Sequence, residues 1–219
     1  MKSFCFVLLA MTCVHLSACS SVPAMPESTF YRLLAPVVAE PAAEPVVDLP
    51  LVVASLDADG LYSDQALIYA LDAQASRLRS YHYQLWIDPP TRMLQRRLVE
   101  SLRRAKLSAV VTDRMPTSMA VLAISGRIVR LERVKTEQGW QAVVGLVLRA
   151  EPSHGGKPWV IGEYQHRVRA EGDSVIDSVR AMSQALDLIS ADFIADITSA
   201  THARANNEDA IQLRALEVE

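Results

Sequence analysis

Cysteine is scarce: 219 residues contain three, at Cys5, Cys13 and Cys19. The first two lie in a leader that opens on Lys2, runs through the apolar stretch Phe4 to Val14 and closes on the small residues Ser17 and Ala18. That is the layout of a cleavable export signal over residues 1–18. The apolar stretch is shorter than the ~20 residues a helix needs to cross a bilayer core, which argues against a permanent transmembrane helix. Loss of the leader leaves Cys19 alone, and one cysteine builds no disulfide framework, CxxC redox pair or cysteine zinc site. Stability then rests on core packing. Glycine numbers only 8 and aromatics make up 6%, which argues against a barrel of glycine-rich hairpins and against an aromatic sugar-binding surface. Positive charge is not in excess either. The formal net charge is −3, and −4 without Lys2, so no nucleic-acid partner is expected.

Signatures of chemistry are missing as well. There is no GxSxG elbow, HExxH pair, GxxxxGK[ST] loop or GxGxxG turn. Beyond the leader the histidines are His82, His154, His166 and His202, and none has a second ligand at useful spacing. Glu163 and His166 are three apart on an expected strand and so face opposite ways. HGGKP at 154–158 reads as a hairpin turn rather than a phosphate loop. No catalytic, cofactor-binding or metal-ligating residue emerges, so no cofactor is expected.

What is present is an apolar half of the chain, enough for one domain of ordinary core size. Residues 19–29 carry the polar, proline-bearing SSVPAMPEST and read as a tether. FYRLL at 30–34 reads as a short strand, 35–48 as an extended loop with three prolines, and 49–56 as a strand. DADG at 57–60 reads as a turn. ALIYAL at 66–71 and SYHYQLW at 80–86 pair as a hairpin, with Tyr81, Tyr83 and Leu85 directed at the core and His82, Gln84 and Trp86 away from it. A helix follows, with Asp88 as cap and Pro89 in its first turn. Leu94, Leu98 and Leu102 form its stripe beside Val99 and Ala105. Arg92, Arg96, Arg97, Arg103, Arg104 and Lys106 take most of the remainder, opposed only by Glu100. Such a face either is simply solvated, the commoner case, or meets anionic headgroups or an acidic protein. At the strand-to-helix corner, core packing is the favoured role of Trp86. LSAVV at 107–111 reads as a short strand, and 118–134, 139–151 and 158–172 as an antiparallel meander. In the third of these Arg167 and Arg169 share one face, His166 and Val168 the other. Over 174–197, Ser174 and Asp177 have capping-box spacing, and Val175, Val179, Met182, Leu186, Ile189 and Phe193 form a seam that covers the sheet rather than a coiled coil. Residues 200–219 read as a polar tail, disordered or with one short helix over 208–217.

Cys19 has two readings from its surroundings: a free thiol left by cleavage after Ala18, or a modified first residue. Leu16, Ser17, Ala18 and Cys19 resemble the lipobox of bacterial lipoprotein precursors. That resemblance makes Cys19 the lipid-attachment residue, carrying a diacylglycerol on sulfur and a third acyl chain, of the palmitate kind, on its amino group, enough apolar length for stable anchoring. Further along, the FYRL strand, Tyr81 and Trp86 five apart, Pro89 and Pro90, and the leucine-striped helix resemble the ABC-type transport auxiliary lipoprotein family, which includes PqiC-like proteins. Leu85 stands where that family shows an arginine. The resemblance implies an α+β domain over 30–199, two main helices on a largely antiparallel sheet, held at the periplasmic face of a membrane. It implies a non-enzymatic component of an MCE/ABC-type system that moves lipids or other hydrophobic molecules, with an MCE-domain periplasmic subunit as partner and a homo-oligomeric ring as a possible assembly. Ser20 after the lipidated cysteine points to the outer membrane under the enterobacterial sorting rule. An alternative is a lipoprotein chaperone or assembly factor of an outer-membrane complex. A third, an exported hydrolase, has only the periplasmic address in its favour.

Overall fold

The computed structural model describes residues 26–216, apart from 39 and 115–117. Its centre is a long hairpin. Strands β7 (Leu122–Thr136) and β8 (Gly139–Pro152) pair from Leu122 with Pro152 to Thr136 with Gly139, and β9 (Val160–Arg169) continues the antiparallel meander against β8. The meander read from the sequence is therefore present. Gly155 and Gly156, both at positive φ, make HGGKP the turn between β8 and β9.

The other edge of β7 is covered by a single stretch of chain in three pieces. β2 (Leu51–Val53), β3 (Asp57–Ala58) and β4 (Ala66–Ala70) lie parallel to β7 in succession, against 122–124, 127–128 and 132–134. DADG is thus not simply a turn: Asp57 and Ala58 are strand, and the chain then makes a 3-10 turn at Gly60–Ser63. Outward from β4 lie β5 (Leu78–Trp86), antiparallel, and β1 (Thr29–Tyr31), parallel to β5. β6 (Val111–Thr112) lies parallel to β2. The nine-stranded sheet is mixed, antiparallel in its long ladders and parallel in its short ones.

Helix α1 (Pro90–Arg104) is the crossover between β5 and β6, and α2 (Val175–Leu216) follows β9. Both pack on one face of the sheet: α1 over β2 and β3, α2 over β8 and β9. Leu94, Leu98 and Leu102 of α1 and Val179, Met182, Leu186, Ile189, Phe193 and Ile197 of α2 are buried in one core with Leu51, Leu122, Ile124, Leu148 and Trp86. The fold is α+β, with the 174–197 seam covering the sheet as expected. The opposite face of β9 presents Ile161, Glu163, Gln165, Arg167 and Arg169 to solvent.

Three expectations are corrected. Asp88 does not cap α1: Pro89 occupies the cap with Pro90 at the first helical position, and the Asp88 carboxylate pairs with Arg96 instead. Trp86, for which core packing is the favoured role, is indeed the fully buried aromatic of β5, at 1% exposure, so it does not point away from the core, and the tyrosines are only half-buried. The cause is an irregularity in the ladder: Ala66 pairs with Leu85 but Ile68 with Ser80, which breaks the simple alternation between Tyr81 and Trp86. Finally, the chain does not leave the helix at 200, because α2 continues to Leu216.

Candidate functional site

Helix α1 has 15 residues and α2 has 42, so at 1.5 Å per residue α1 stops about 40 Å short of its neighbour's length. Alongside the middle of α2 the space beyond the end of α1 is walled by residues 37, 38, 40, 42 and 46. This wall is sewn to the end of α1 by backbone bonds: Ala42 N–H donates to Ala105 O at 3.1 Å, and Val46 and Val47 N–H donate to Leu107 O at 3.2 and 2.9 Å. Between wall and helix lies a groove of about 780 Å³, lined chiefly by Val37, Ala42, Leu107, Leu188, Ala191 and Ile194. Leu188 is 46% exposed and Val37 71%, large apolar side chains left facing water.

The preceding residues, 34–37, form a strap across α2. Leu34 N–H donates to Ser183 Oγ and Val37 N–H to Asp187 Oδ1, each at 3.1 Å, and Arg104 Nη1 donates to Pro36 O at 2.7 Å. On the other side of the strap a second cavity of about 350 Å³ is bordered by Arg32, Arg96 and Arg97, with Ile87 and Met93.

Arg97 ties the two regions together. It is 6% exposed and donates from Nη2 to Asp187 Oδ1 at 2.7 Å and to Ser183 O at 3.0 Å. Burial pushes its guanidinium pKa down, and Asp187 opposes that shift. Nε and Nη1 are buried with no hydrogen-bond acceptor among the described residues.

The basic face of α1 is solvent-exposed at Arg92, Arg96, Arg103, Arg104 and Lys106, as a solvated face should be, but most of its charges also find partners. Arg96 pairs with Asp88, Arg104 with Glu100 at 2.5 Å and Arg97 with Asp187, while Arg103 Nε donates to Val111 O at 2.7 Å. Lys106 Nζ reaches Ala43 O at 3.4 Å. Most of this charge fastens α1 to its surroundings. Glu100 is not its only counterweight, because the others come from outside the helix.

Cys19 lies outside the described residues. Among the described histidines, His166 Nε2 lies 2.7 Å from Asp192 Oδ2, and His154 Nδ1 lies 3.2 Å from Ser153 Oγ in the exposed β8–β9 turn. That serine hydroxyl also accepts Val121 N–H, so it is part of the turn's bonding. Among the described residues no three metal-binding side chains converge, and no helix is long and apolar enough to cross a membrane. The groove was not anticipated. Its walls come from a stretch read only as a loop, and its floor from small residues that carry no motif. The one available signal was the second apolar row on α2, at Leu188, Ala191, Ile194 and Ala195, beside the buried seam.

The fold recurs in known structures. Protein XCC0632 from Xanthomonas campestris superposes with a TM-score of 0.68 at 17% identity, covering 81% of this chain and 99% of that one. A second crystal structure, of an uncharacterized protein, gives 0.61 at 14% identity over 78% and 99%. No curated protein matches the sequence. Residues 31–195 match the family described as the ABC-type transport auxiliary lipoprotein component, a span that runs from the last residue of β1 through the strap and both groove walls to Ala195 of α2. The chain belongs to the ABC-type transport auxiliary lipoprotein family.

Proposed function

We propose that this auxiliary lipoprotein is a non-enzymatic docking component of an MCE/ABC-type system that moves lipids or other hydrophobic molecules across the envelope. In this reading residues 1–18 are removed and Cys19 carries the lipid. Residues 19–29 tether the domain of 30–199, which faces the periplasm from the outer membrane, the side Ser20 favours. The partner is an MCE-domain periplasmic subunit, contacted by one copy or by a ring of copies.

The observation that carries the proposal is the family match over residues 31–195, which spans nearly the whole described domain. Two features of the surface agree with it. Most charges of α1 have partners within the chain, whereas the β9 face and the apolar groove remain open. Docking needs open surface, and it needs no reacting group.

Crosslinking in the native envelope followed by pull-down of this protein tests the proposal. Recovery of an MCE-domain subunit is the expected result, and failure to recover any transporter subunit would sink it. Recovery of a β-barrel protein alone would select the assembly-factor reading.

A further inference from the structure

The sheet ends on one long open edge. β1 and β6, at its other limits, have three and two residues, whereas β9 has ten and pairs with β8 without a register shift. Ala170 N–H donates to Trp140 O at 2.9 Å, in register with that ladder, so the even-numbered residues of β9 turn their N–H and C=O toward β8. Those of Ile161, Glu163, Gln165, Arg167 and Arg169 therefore point outward, where no strand pairs with them among the described residues. Proteins commonly blunt such an edge with proline or a bulge, and from Val160 to Arg169 β9 has neither. A row of donors and acceptors repeating every second residue is matched by another extended backbone, not by a small molecule.

The side chains beside the edge determine which backbone fits. On the open face of the sheet Arg167 and Arg169 are exposed, and their neighbours across the ladder, Val143 and Gln141, carry no charge. Glu163 shares that face but stands four residues from Arg167, about 13 Å along the strand. On the other face α2 holds Asp196 over Tyr164 and Asp192 over His166, at 2.6 and 2.7 Å, and both aspartates remain exposed. A second copy of this chain fits poorly. Because α2 packs on β8 and β9, two-fold pairing of β9 with its copy sets the two α2 helices about 10 Å apart, twice the strand spacing. Asp192 and Asp196 of both copies would then face one another, a juxtaposition of like charge that selects against it. We infer that the edge of β9 takes up an antiparallel strand of a different protein, acidic where it faces Arg167 and Arg169 and basic where it lies under Asp192 and Asp196. The inference rests on the docking reading only for which protein supplies the strand.

The probe is a fluorescein-labelled peptide, Glu-Thr-Glu-Lys-Thr-Lys-Lys-Thr-Val, added to the full chain in detergent. With its first residue opposite Arg169, it sets glutamates against Arg169 and Arg167, a lysine against Glu163, and two lysines under Asp192 and Asp196. Anisotropy should show it binding at least tenfold tighter than the peptide with glutamate and lysine exchanged, and the double variant Arg167→Glu, Arg169→Glu should remove that preference. Amide exchange at 161, 163, 165, 167 and 169 should slow at least tenfold on binding, while the even-numbered amides, already bonded to β8, hold their rates. Gln165→Pro removes an outward N–H and spares the β8 ladder, as proline does on edge strands. It should weaken binding tenfold or more at an unchanged melting midpoint, with Gln165→Ala binding as wild type. Equal affinity for the two peptides, no alternating protection, or wild-type binding by the proline variant would overturn the inference. So would sedimentation showing a dimer that Gln165→Pro dissociates, which would make the edge an interface between copies. These readouts need no transporter, so absence of any transporter crosslink in the native envelope counts against the docking reading alone. Where the wild-type chain does crosslink there, Gln165→Pro should lose it, and a proline variant that keeps it would overturn the inference while docking stands.

Discussion

Single residues carry several of the fold's sharpest constraints. Glu132 is 1% exposed and accepts hydrogen bonds from the Tyr62 hydroxyl and from Arg130, whose Nε lies at 2.8 Å. Arg130 keeps 23% of its side chain in water, so the two partners do not suffer equally when parted. Arg130→Met strands a buried carboxylate and should cost ~3–5 kcal/mol, whereas Glu132→Met releases a charge that reaches solvent and should cost clearly less. Urea denaturation of both variants checks the order, and equal losses would refute it. Burial and the bond to Glu132 push the Tyr62 pKa up, so its contribution is full below the ordinary tyrosine value and is lost as pH rises through the folded one. The mirror case is Asp177. The Ser174 hydroxyl bond and the charge of Arg180 hold its carboxyl below the usual range, so its contribution is present above the unfolded value of ~3.9 and fades as pH falls through the folded one. Ser174→Ala removes the N-cap of α2, at a cost of ~1 kcal/mol at pH 7. That difference should shrink at pH 3, and a pH-independent difference would detach Asp177 from the cap. Ser174 and Asp177 were legible from their spacing. Glu132 was not, because a charged residue inside a strand reads as solvent-facing until the 3-10 turn brings Tyr62 over it.

At the scale of elements, strands and helices with a regular apolar rhythm were readable, and those defined by a distant partner were not. The stripe of α1, the seam of α2 and the β7–β9 meander follow from period alone. β3 is two residues long and exists because β7 offers an open edge at 127–128. The error over 200–216 has a similar origin. Composition there is polar, yet Thr201 Oγ1 donates to Ile197 O at 2.8 Å, and the Arg204 guanidinium lies 4.8 Å from the centre of the Trp159 ring. Its Nη2 also reaches Lys157 O at 3.4 Å, pinning this part of the helix to the chain before β9. A cation over a half-buried aromatic such as Trp159 contributes at least ~0.5–1 kcal/mol, enough to matter for a helix end with few other contacts. Trp159→Ala should therefore lower hydrogen-exchange protection from about residue 200 onward and leave 179–193 unchanged; unchanged protection throughout would show that α2 holds its length without the contact. Glycine acts on this same layer. A Cβ at Gly162 would fall 2.6 Å from the Tyr164 ring, which donates its hydroxyl to Asp196 at 2.6 Å and meets Phe193 edge-on at 5.7 Å. Gly162→Ala displaces that ring from α2 and should cost ~1–3 kcal/mol, as overpacking does.

For the whole molecule, the sequence made the class of fold readable, but the groove only in hindsight, since it arises from the unequal lengths of two helices and a loop closing the gap. The proposed function adds a geometric demand. From Cys19 to the start of β1 at Thr29 is ten residues, a reach of at most ~36 Å from the membrane. If docking on an MCE-domain subunit occurs at a fixed height above that surface, tether length governs it more strongly than any single contact. Deleting five residues from 21–25 halves the reach to ~18 Å, while inserting ten Gly/Ser residues roughly doubles it. A tether too short to span abolishes engagement outright, whereas one too long lowers effective concentration only gradually, as about the −3/2 power of length. The shortened protein should then lose its transporter crosslink almost completely, and the lengthened one should keep a third or more of it, with both still in the membrane fraction and both folded by thermal melt. Cys19→Ala should leave the membrane fraction and lose the crosslink together. Equal crosslinking by all three chains would mean that the domain finds its partner without the anchor, and the tethered-docking reading would have to be abandoned.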